Sequence, residues 1–587
     1  MITARAAGDA GLLVEAGERA GPLAAAVRAA RLPGVTDVVT GAETVLLVTE
    51  PGQDLAALAA AVGGLDVPDQ PPPSGELVIP VVYDGPDLAE VARLTGLTEE
   101  QVTERHAASG YMVGWLGFAP GFGYLTGLDP ALHVPRLATP RTRVPAGSVA
   151  IAGPLAAVYP TASPGGWRLI GRTSVRLWDT GREPPAAFSP GLRVTFRPVA
   201  ELPRLAFLTL PSAPGHTSAP VSPAPPAAGA THTPHVPGVA SPASPGALAA
   251  GAAPVPSAVG VAASHAPAAG AKPPSAGSPG IFVEVVRPGP LATVQDLGRP
   301  GYGHLGVSRS GAADPGSLAR ANELVGNPPG AAGIELTLGR GAFRFPGGAV
   351  VAVAGAAAPL TVVGAPGQPG QEAGFGRALT LPSGAELRIG GPVTGLRTYL
   401  AVRGGLAGPA ELGSQSSDLL ARLGPAPLRA GDSLPVAVIS PDDRPAAHPG
   451  APGPGAAEPG EGGSAAAGAG ADGPATLRVR PGPREAWFAR GTIEVLCGGP
   501  YTVTPASDRT GLRLDGTPLT RARAGELPSE GMVTGALQVP PDGRPILLLA
   551  DHGVTGGYPV LAVVVSADIG RAAQLRPGRA VRFRLSR

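Results

Sequence analysis

Residues that could perform chemistry are concentrated in a few short loops rich in glycine. The densest stretch, TVQDLGRPGYGHLGVSRSGAADPGSLARAN at 293–322, contains Gln295, Arg309, Ser310 and Asp314. Asp314 stands before a proline and a helical pattern, so it can serve as the N-cap of a helix. A helix N-terminus beside Arg309 and Ser310 would also favour an anion. We therefore predict Asp314 either as a simple cap or as a catalytic carboxylate, and the other three as binding residues for substrate or phosphate.

Two loops nearer the C-terminus carry a second group of polar residues. The loop ADHGVTGGYP follows a strongly apolar strand and contains paired glycines, an arrangement typical of a site at a strand end. Asp551 and His552 are adjacent, so in a strand their side chains would point to opposite faces. The candidate catalytic groups of these loops are Asp508, Asp551 and His552, and the candidate binding groups are Arg509, Thr555 and Tyr558.

Arginines form the third candidate group. Arg136, Arg141 and Arg143 lie within eight residues, and SPGGWRLIGRT at 163–173 adds Ser163 and Arg172. Guanidinium groups bind carboxylates and phosphates through two parallel hydrogen bonds, so three of them in one rigid loop could form an anion site. The alternative is separate surface arginines, each with its own salt-bridge partner.

Several classes of function are excluded by the sequence. It has no H-E-x-x-H, C-x-x-C, G-x-S-x-G or Walker A motif, and its one cysteine, Cys497, allows no intrachain disulfide. The G-x-G-x-x-G at Gly301 follows a proline and precedes no long helix, so we interpret it as a turn rather than a dinucleotide site. The net charge of +1 favours no nucleic-acid partner, and no apolar run is long enough to span a membrane. We expect a cytoplasmic protein without a metal site.

The elements that must position these loops are mostly short strands separated by glycine and proline. We predict a mainly β fold, with a small N-terminal α/β domain and β-barrels joined by disordered linkers rich in Pro, Ala and Gly. Asp54 and Thr98 should cap helices, the latter in a capping box with Gln101. The predicted divisions are 1–75 (α/β), 76–210 (barrel), 211–280 (linker), 281–440 (barrel), 441–475 (linker) and 476–587 (barrel).

Three motifs in the first part, GWLGFAPGFGYLTGL, PRLATPRTRVPAGSVAIAG and SPGGWRLIGRT, resemble the B component (KipI-type) of bacterial 5-oxoprolinase. Four in the second part, TVQDLGRPGYGHLGVSRSGAAD, SDRTGLRLDG, LPSEGMVTGALQVPPDGRPILLLADH and TGGYPVLAVVVSAD, resemble its C component (KipA-type). The same families are called allophanate hydrolase subunits 1 and 2 and are related to urea amidolyase. The resemblance covers nearly all of the chain outside the linkers and implies a B–C fusion with three cyclophilin-like barrels. Gly553 and Val554 depart from the two polar residues usual in relatives.

The resemblance implies an ATP-dependent cyclic amide hydrolase that opens 5-oxoproline to glutamate with a separate A component of the LamB/YcsF family. It implies ATP with Mg²⁺ and no biotin attached to this chain. Arg136, Arg141, Arg309 and Asp314 would then stabilise a transferring phosphoryl group and a developing oxyanion. Two alternatives remain: a carboxyltransferase component of a biotin-dependent urea or amide carboxylase, and a regulatory binding protein of the KipI/KipA type.

Overall fold

The computed structural model describes residues 3–68, 75–203, 281–364, 369–437, 473–525 and 527–586. The chain is mainly β, with closed and nearly closed barrels and few helices, as predicted. The predicted linker 211–280 lies outside the described residues. So does 441–475 except for its last three residues, of which Ala475 already begins a strand. Within the described part, no helix is long and apolar enough to cross a membrane.

The N-terminal unit, residues 3–68, is a four-stranded antiparallel sheet covered by two helices. Its strands run in the order β1-β2-β4-β3. Side chains alternate between the two faces of a strand, so Leu12 and Val14 pack against the helices while Leu13 faces the other way. As predicted, Asp54 caps the second helix by accepting hydrogen bonds from two backbone N–H groups. The elements are β1 (Thr3–Ala6), β2 (Gly11–Glu15), α1 (Ala20–Ala30), β3 (Val35–Thr40), β4 (Thr44–Thr49) and α2 (Leu55–Gly63).

The first barrel, residues 75–203, is a seven-stranded sheet in the order β12-β9-β10-β7-β6-β13-β5, with a separate pair β11-β8. A bridge between Val82 and Arg172 joins its two edges. The predicted capping box of Thr98 and Gln101 is present at the start of α4. The elements are β5 (Glu76–Val81), α3 (Leu88–Thr95), α4 (Glu99–Ala108), β6 (Tyr111–Leu116), β7 (Gly123–Thr126), β8 (Arg141–Val144), β9 (Ser148–Ala152), β10 (Leu155–Val158), β11 (Ser163–Gly165), β12 (Arg168–Arg172) and β13 (Arg193–Pro198).

The second barrel, residues 281–437, consists of two sheets packed around one core, in the orders β20-β19-β22-β17-β14-β24 and β15-β16-β23-β18-β21. Its single α-helix in the described part, α5, begins after Asp314 as predicted. The elements are β14 (Phe282–Arg287), β15 (Leu291–Gln295), α5 (Pro315–Val325), β16 (Gly333–Thr337), β17 (Ala342–Phe345), β18 (Ala349–Gly355), β19 (Leu360–Val363), β20 (Gln371–Ala373), β21 (Ala378–Leu381), β22 (Ala385–Ile389), β23 (Arg397–Val402) and β24 (Ser433–Pro435).

The third barrel, residues 473–586, is closed in the order β25-β32-β29-β30-β27-β26-β33, with a separate pair β28-β31. Cys497 lies in α6 and packs, partly buried, against the barrel core. The elements are β25 (Ala475–Pro481), α6 (Thr492–Gly498), β26 (Tyr501–Val503), β27 (Gly511–Asp515), β28 (Glu530–Gly531), β29 (Ala536–Gln538), β30 (Ile546–Leu548), β31 (Thr555–Gly556), β32 (Val560–Val564), α7 (Ile569–Ala573) and β33 (Ala580–Leu585).

The N-terminal unit packs on the third barrel although more than 400 residues separate them in the chain. The sheet face opposite the helices, with Leu13 and Leu46, contacts Val554 in one apolar cluster. At the edge of this contact, the Asp9 carboxylate accepts hydrogen bonds from the backbone N–H (3.0 Å) and the hydroxyl (2.9 Å) of Ser566. The two ends of the chain therefore form one continuous wall around the site described next.

Candidate active site

A cavity of about 600 Å³ lies where the N-terminal unit, the second barrel and the third barrel meet. This volume is within the usual range for small-molecule sites. Its lining combines two sets of side chains, which we call the apolar wall and the polar wall. The apolar wall includes Val39, Val48, Met532, Val533, Val554 and Ile569, and the polar wall includes Asp37, Arg309, Ser310, Asp314, Thr534, His552, Arg571 and Gln574.

Asp314 belongs to the polar wall of the cavity and also caps α5. One carboxylate oxygen accepts the backbone N–H of Ser317 at 3.1 Å, and the other accepts its hydroxyl at 2.6 Å. The second oxygen also accepts a hydrogen bond of 2.8 Å from the amide of Gln574 in the third barrel. Both predicted roles of Asp314 are thus compatible with its position, because the cap itself lines the cavity.

The loop before Asp314 presents a guanidinium group to the cavity. Arg309 is exposed, and its Nε donates to the carbonyl of Leu297 at 3.3 Å. The next residue, Ser310, has φ of 53°, a left-handed conformation that costs a non-glycine residue roughly 1–3 kcal/mol. Its hydroxyl donates to Asp551 at 2.7 Å, and this contact with the third barrel holds the strained residue in place.

A buried ion cluster joins the second and third barrels behind this loop. Arg509 is 3% exposed and donates to both oxygens of Asp551 at 2.9 Å, to Glu335 at 2.6 Å and to the carbonyl of Gly311 at 2.6 Å. Burial opposes the charge of Glu335, but Arg509 and Arg397 hold the pKa of its carboxyl below the ordinary value. Glu335 is therefore charged at neutral pH, and the cluster fixes the two barrels against each other.

His552 is the one imidazole that lines the cavity among the described residues. Its Nδ1 lies 2.8 Å from the carbonyl of Gly553, and its Nε2 lies 3.2 Å from the hydroxyl of Thr534. A carbonyl only accepts, so Nδ1 carries the proton and Nε2 accepts from Thr534. Burial lowers the pKa of His552, which keeps the ring neutral at pH 7. A neutral Nε2 behind a hydroxyl that faces the cavity is a suitable general base.

A second cluster, lined by aromatic rings, lies where the first barrel meets the third. Tyr124 stacks on Trp115 with ring centroids 4.6 Å apart, and Phe122 meets Tyr124 edge-on at 5.1 Å. Phe118 has a left-handed φ of 63°, and its backbone N–H donates to the hydroxyl of Thr555 at 2.9 Å. Thr555 therefore lies at this junction and outside the cavity.

Comparisons with known proteins decide the family. The carboxyltransferase domain family matches residues 2–188 with its subdomains C and D, and residues 305–585 with its subdomains A and B. The 5-oxoprolinase B component of Escherichia coli O157:H7 is 43% identical over 182 residues, 30% of this chain and 84% of that protein. The 5-oxoprolinase C component of E. coli K12 is 33% identical over 305 residues, 51% of this chain and 90% of that protein. The chain belongs to the carboxyltransferase-domain family, as a fusion of the B and C types.

Other members of the carboxyltransferase-domain family extend the comparison. A urea amidolyase of Lachancea kluyveri is 30% identical over 315 residues, which are 51% of this chain and 17% of that protein. The crystal structure of TTHA0988 superposes with a TM-score of 0.73 at 32% identity and covers 99% of this chain and all of that one. The whole-chain architecture, with both halves in one polypeptide, is therefore shared with a known structure.

Two of the predicted arginines form separate salt bridges. Arg141 donates to Asp87 at 2.7 Å, and Arg172 pairs with Asp84 at 2.8 Å, which is the alternative of separate salt bridges. Arg143 is exposed.

Arg136 and Ser163, the other two residues predicted together with these arginines, also lie in the first barrel. Burial raises the pKa values of Tyr124 and Tyr159, and the exposed Arg136 lies close enough to both rings to oppose that rise. The oxygen of Ser163 is buried without a hydrogen-bond partner among the described residues. Neither residue reaches the cavity that contains Arg309.

Two further predicted residues support loops instead of lining the cavity. Asp508, predicted as a catalytic carboxylate, is exposed and caps its own turn by accepting the Thr510 N–H at 2.7 Å. Gln295 is fully buried, and its amide donates to the carbonyl of Ser417 at 3.0 Å. Both side chains therefore stabilise loops of the fold through hydrogen bonds.

Three more predicted residues lie in the third barrel outside the cavity. Arg509 and Asp551 are buried behind the cavity wall, in the ion cluster. The carbonyl of Tyr558 accepts a hydrogen bond from Gln538 at 3.3 Å. The first two hold the Ser310 loop, which lines the cavity.

The cavity therefore brings together Arg309, Ser310, Asp314 and His552 of the predicted set. Sequence reasoning missed Asp37, Thr534 and Gln574. Asp37 is a single acid in the strand VTDVVT, and Gln574 follows a short helix, so neither carries a motif. Only the packing of segments distant in sequence selects them.

Proposed function

We propose that this chain is the combined B and C component of an ATP-dependent 5-oxoprolinase, which opens 5-oxoproline to glutamate together with a separate A component. The observation that carries the proposal is the composition of the cavity. Its walls come from the N-terminal unit, which lies in the part similar to the B component, and from the two barrels similar to the C component. A fusion of the two types supports a function that needs both in one complex.

The polar wall suits a small anionic lactam. The exposed guanidinium of Arg309 would bind the substrate carboxylate or a transferring phosphoryl group, since guanidinium groups bind both. The apolar wall would contact the ring methylenes, and a cavity of about 600 Å³ has room for the lactam beside the terminal phosphates of ATP. Mg²⁺ would arrive with the nucleotide, because it is usually held by phosphate oxygens and one or two carboxylates.

ATP would turn a poor electrophile into a reactive one. The lactam carbonyl oxygen attacks the γ-phosphorus, the bond to the β-phosphate oxygen breaks, and ADP leaves. The lactam nitrogen loses its proton in this step, and the Thr534 hydroxyl would relay that proton to the neutral Nε2 of His552. Water then attacks the activated ring carbon, and the bond from that carbon to nitrogen breaks. The nitrogen takes up both protons of that water and the proton held by His552, which leaves an ammonium group and an acyl phosphate. A second water releases phosphate from the acyl phosphate and leaves glutamate.

Two variants test the roles assigned to the polar wall. We expect Arg309→Gln to lower kcat/KM for 5-oxoproline about 100-fold, the usual effect of losing one donor to a transition-state charge. We expect His552→Gln to lower kcat by about 10²-fold or more, as a lost general base does. The matched control is Arg320→Gln, an exposed arginine of α5 that pairs with Glu323 outside the cavity. Equal activity of all three variants would refute the assignment.

A second candidate is supported by the family name itself. The family match and the urea amidolyase relative support a carboxyltransferase component, and by the resemblance of the sequence motifs such a component would work on a biotin-carried carboxyl group. The sequence contains a single lysine, Lys272, which follows alanine, so biotin would have to be carried by another protein. Carboxylation of an amide, measured with a carboxylated biotin carrier, distinguishes this candidate from lactam opening.

A further inference from the structure

Asp37 connects the N-terminal unit to the loop that carries Arg309. Its carboxylate accepts the backbone N–H of Gly301 at 3.1 Å and that of Gly303 at 3.0 Å. The approach is so close that a Cβ on Gly303 would lie 2.8 Å from the Asp37 oxygen. The contact spans 266 residues of sequence and forms part of the cavity wall.

The charged groups around Asp37 favour its ionised form, while burial opposes it. Arg28 of α1 and Arg309 lie close enough to attract the carboxylate electrostatically. His304, on the same loop, is neutral because burial lowers its pKa to about 4. Glu50 also lines the cavity from the N-terminal unit. Burial is the largest influence on Asp37 and raises its pKa to about 6.

The loop that contains Gly301 and Gly303 leads along the chain directly to Arg309. After Gly303 the chain forms one short 3₁₀ turn, Gly303–Leu305, and returns so that the N–H of Arg299 donates to the carbonyl of Arg309 at 2.8 Å. Anchoring the tip of this loop therefore restricts the backbone that carries the guanidinium group.

We propose that Asp37 is a positioning residue: through Gly301 and Gly303, the N-terminal unit holds Arg309 in the orientation that binds the anionic substrate. The proposal rests on the proposed function for the role of Arg309. The part similar to the B component would thus control substrate binding at a site whose polar groups come mainly from the part similar to the C component.

Protonation of Asp37 should weaken this anchor. A neutral acid accepts hydrogen bonds less strongly than a carboxylate, so the loop should loosen as the pH falls through about 6. In the wild type we expect KM for 5-oxoproline to rise below pH 6 with a smaller change in kcat. In Asp37→Asn we expect a KM roughly tenfold higher at pH 7.5, and no further rise on acidification. Glu43→Gln, which removes an exposed carboxylate of the same N-terminal unit outside the cavity lining, is the matched control and should behave as the wild type.

Amide hydrogen exchange tests the anchor without reference to activity. In the full-length wild type, exchange at Gly301 and Gly303, corrected for the intrinsic rate, should be roughly tenfold faster at about pH 5.5 than at about pH 7.5. Asp37→Asn should show the fast rate at both pH values. Unchanged exchange in the wild type would overturn the proposal, even if the variant failed to fold.

The outcomes separate this proposal from the proposed function. Absence of glutamate production by the wild type would refute the proposed function and leave the exchange result standing. Fast exchange combined with an unchanged KM would refute the link from the loop to Arg309.

Discussion

Arg509→Met removes the centre of the buried ion cluster while keeping most of the side-chain volume. Arg509 is 3% exposed and makes four hydrogen bonds, two of them to Asp551 and one each to Glu335 and the carbonyl of Gly311. Its loss leaves Asp551 without a guanidinium partner in a site where it is fully buried. Removing one partner of a buried ion pair costs about 3–5 kcal/mol.

Scanning calorimetry measures this cost. At roughly 2–4 °C per kcal/mol for a unit of this size, we expect the midpoint temperature of the unfolding transition that includes the third barrel to fall by about 6 °C or more. Arg513→Met is the control, because Arg513 is exposed on the neighbouring strand β27 and its replacement should change stability by less than about 0.5 kcal/mol. The double variant Arg509→Met/Asp551→Leu should recover only part of the loss, because Glu335 and Ser310 would still lack their partners in the cluster. If Arg509→Met and Arg513→Met lower the midpoint temperature of this transition equally, the cluster does not hold the barrels together.

Two glycines test the packing around the sites. Gly570→Ala would place a Cβ 2.6 Å from the Asp314 carboxylate, so we expect a drop in turnover that exceeds any drop in thermal stability. Gly117→Ala would place a Cβ 2.6 Å from the Thr555 hydroxyl, and we expect it to loosen the junction of the first and third barrels, seen as faster amide exchange at Phe118. Gly63→Ala, in a helix with open space around it, should be neutral or stabilising by up to about 1 kcal/mol. Wild-type behaviour of both test variants would contradict the packing described.

Features that depend on neighbouring residues could be predicted from the sequence. The caps at Asp54, Thr98 and Asp314 each depend on a side chain and backbone groups two or three residues away, and all three are present. The mainly β fold followed from glycine and proline turns at short spacing. Both are local properties of the chain.

Features that depend on distant packing could not be predicted. Asp508 and Arg509 are adjacent, and only the assembled barrels show that the arginine enters the ion cluster while the acid stays exposed. Arg141 is bound by Asp87, 54 residues earlier, a salt bridge that spacing alone does not reveal. Asp37 contacts the second barrel across 266 residues. Such contacts depend on how whole domains pack against each other, and no local sequence pattern predicts that packing.

The most direct test of the proposed function is glutamate formation by the purified full-length chain with an A-component protein of the LamB/YcsF family, ATP and 5-oxoproline. Release of glutamate and ADP in equal amounts, lost when either protein or ATP is omitted, is the predicted result. No glutamate under these conditions, with carboxylation of an amide when a carboxylated biotin carrier is supplied instead, would contradict it.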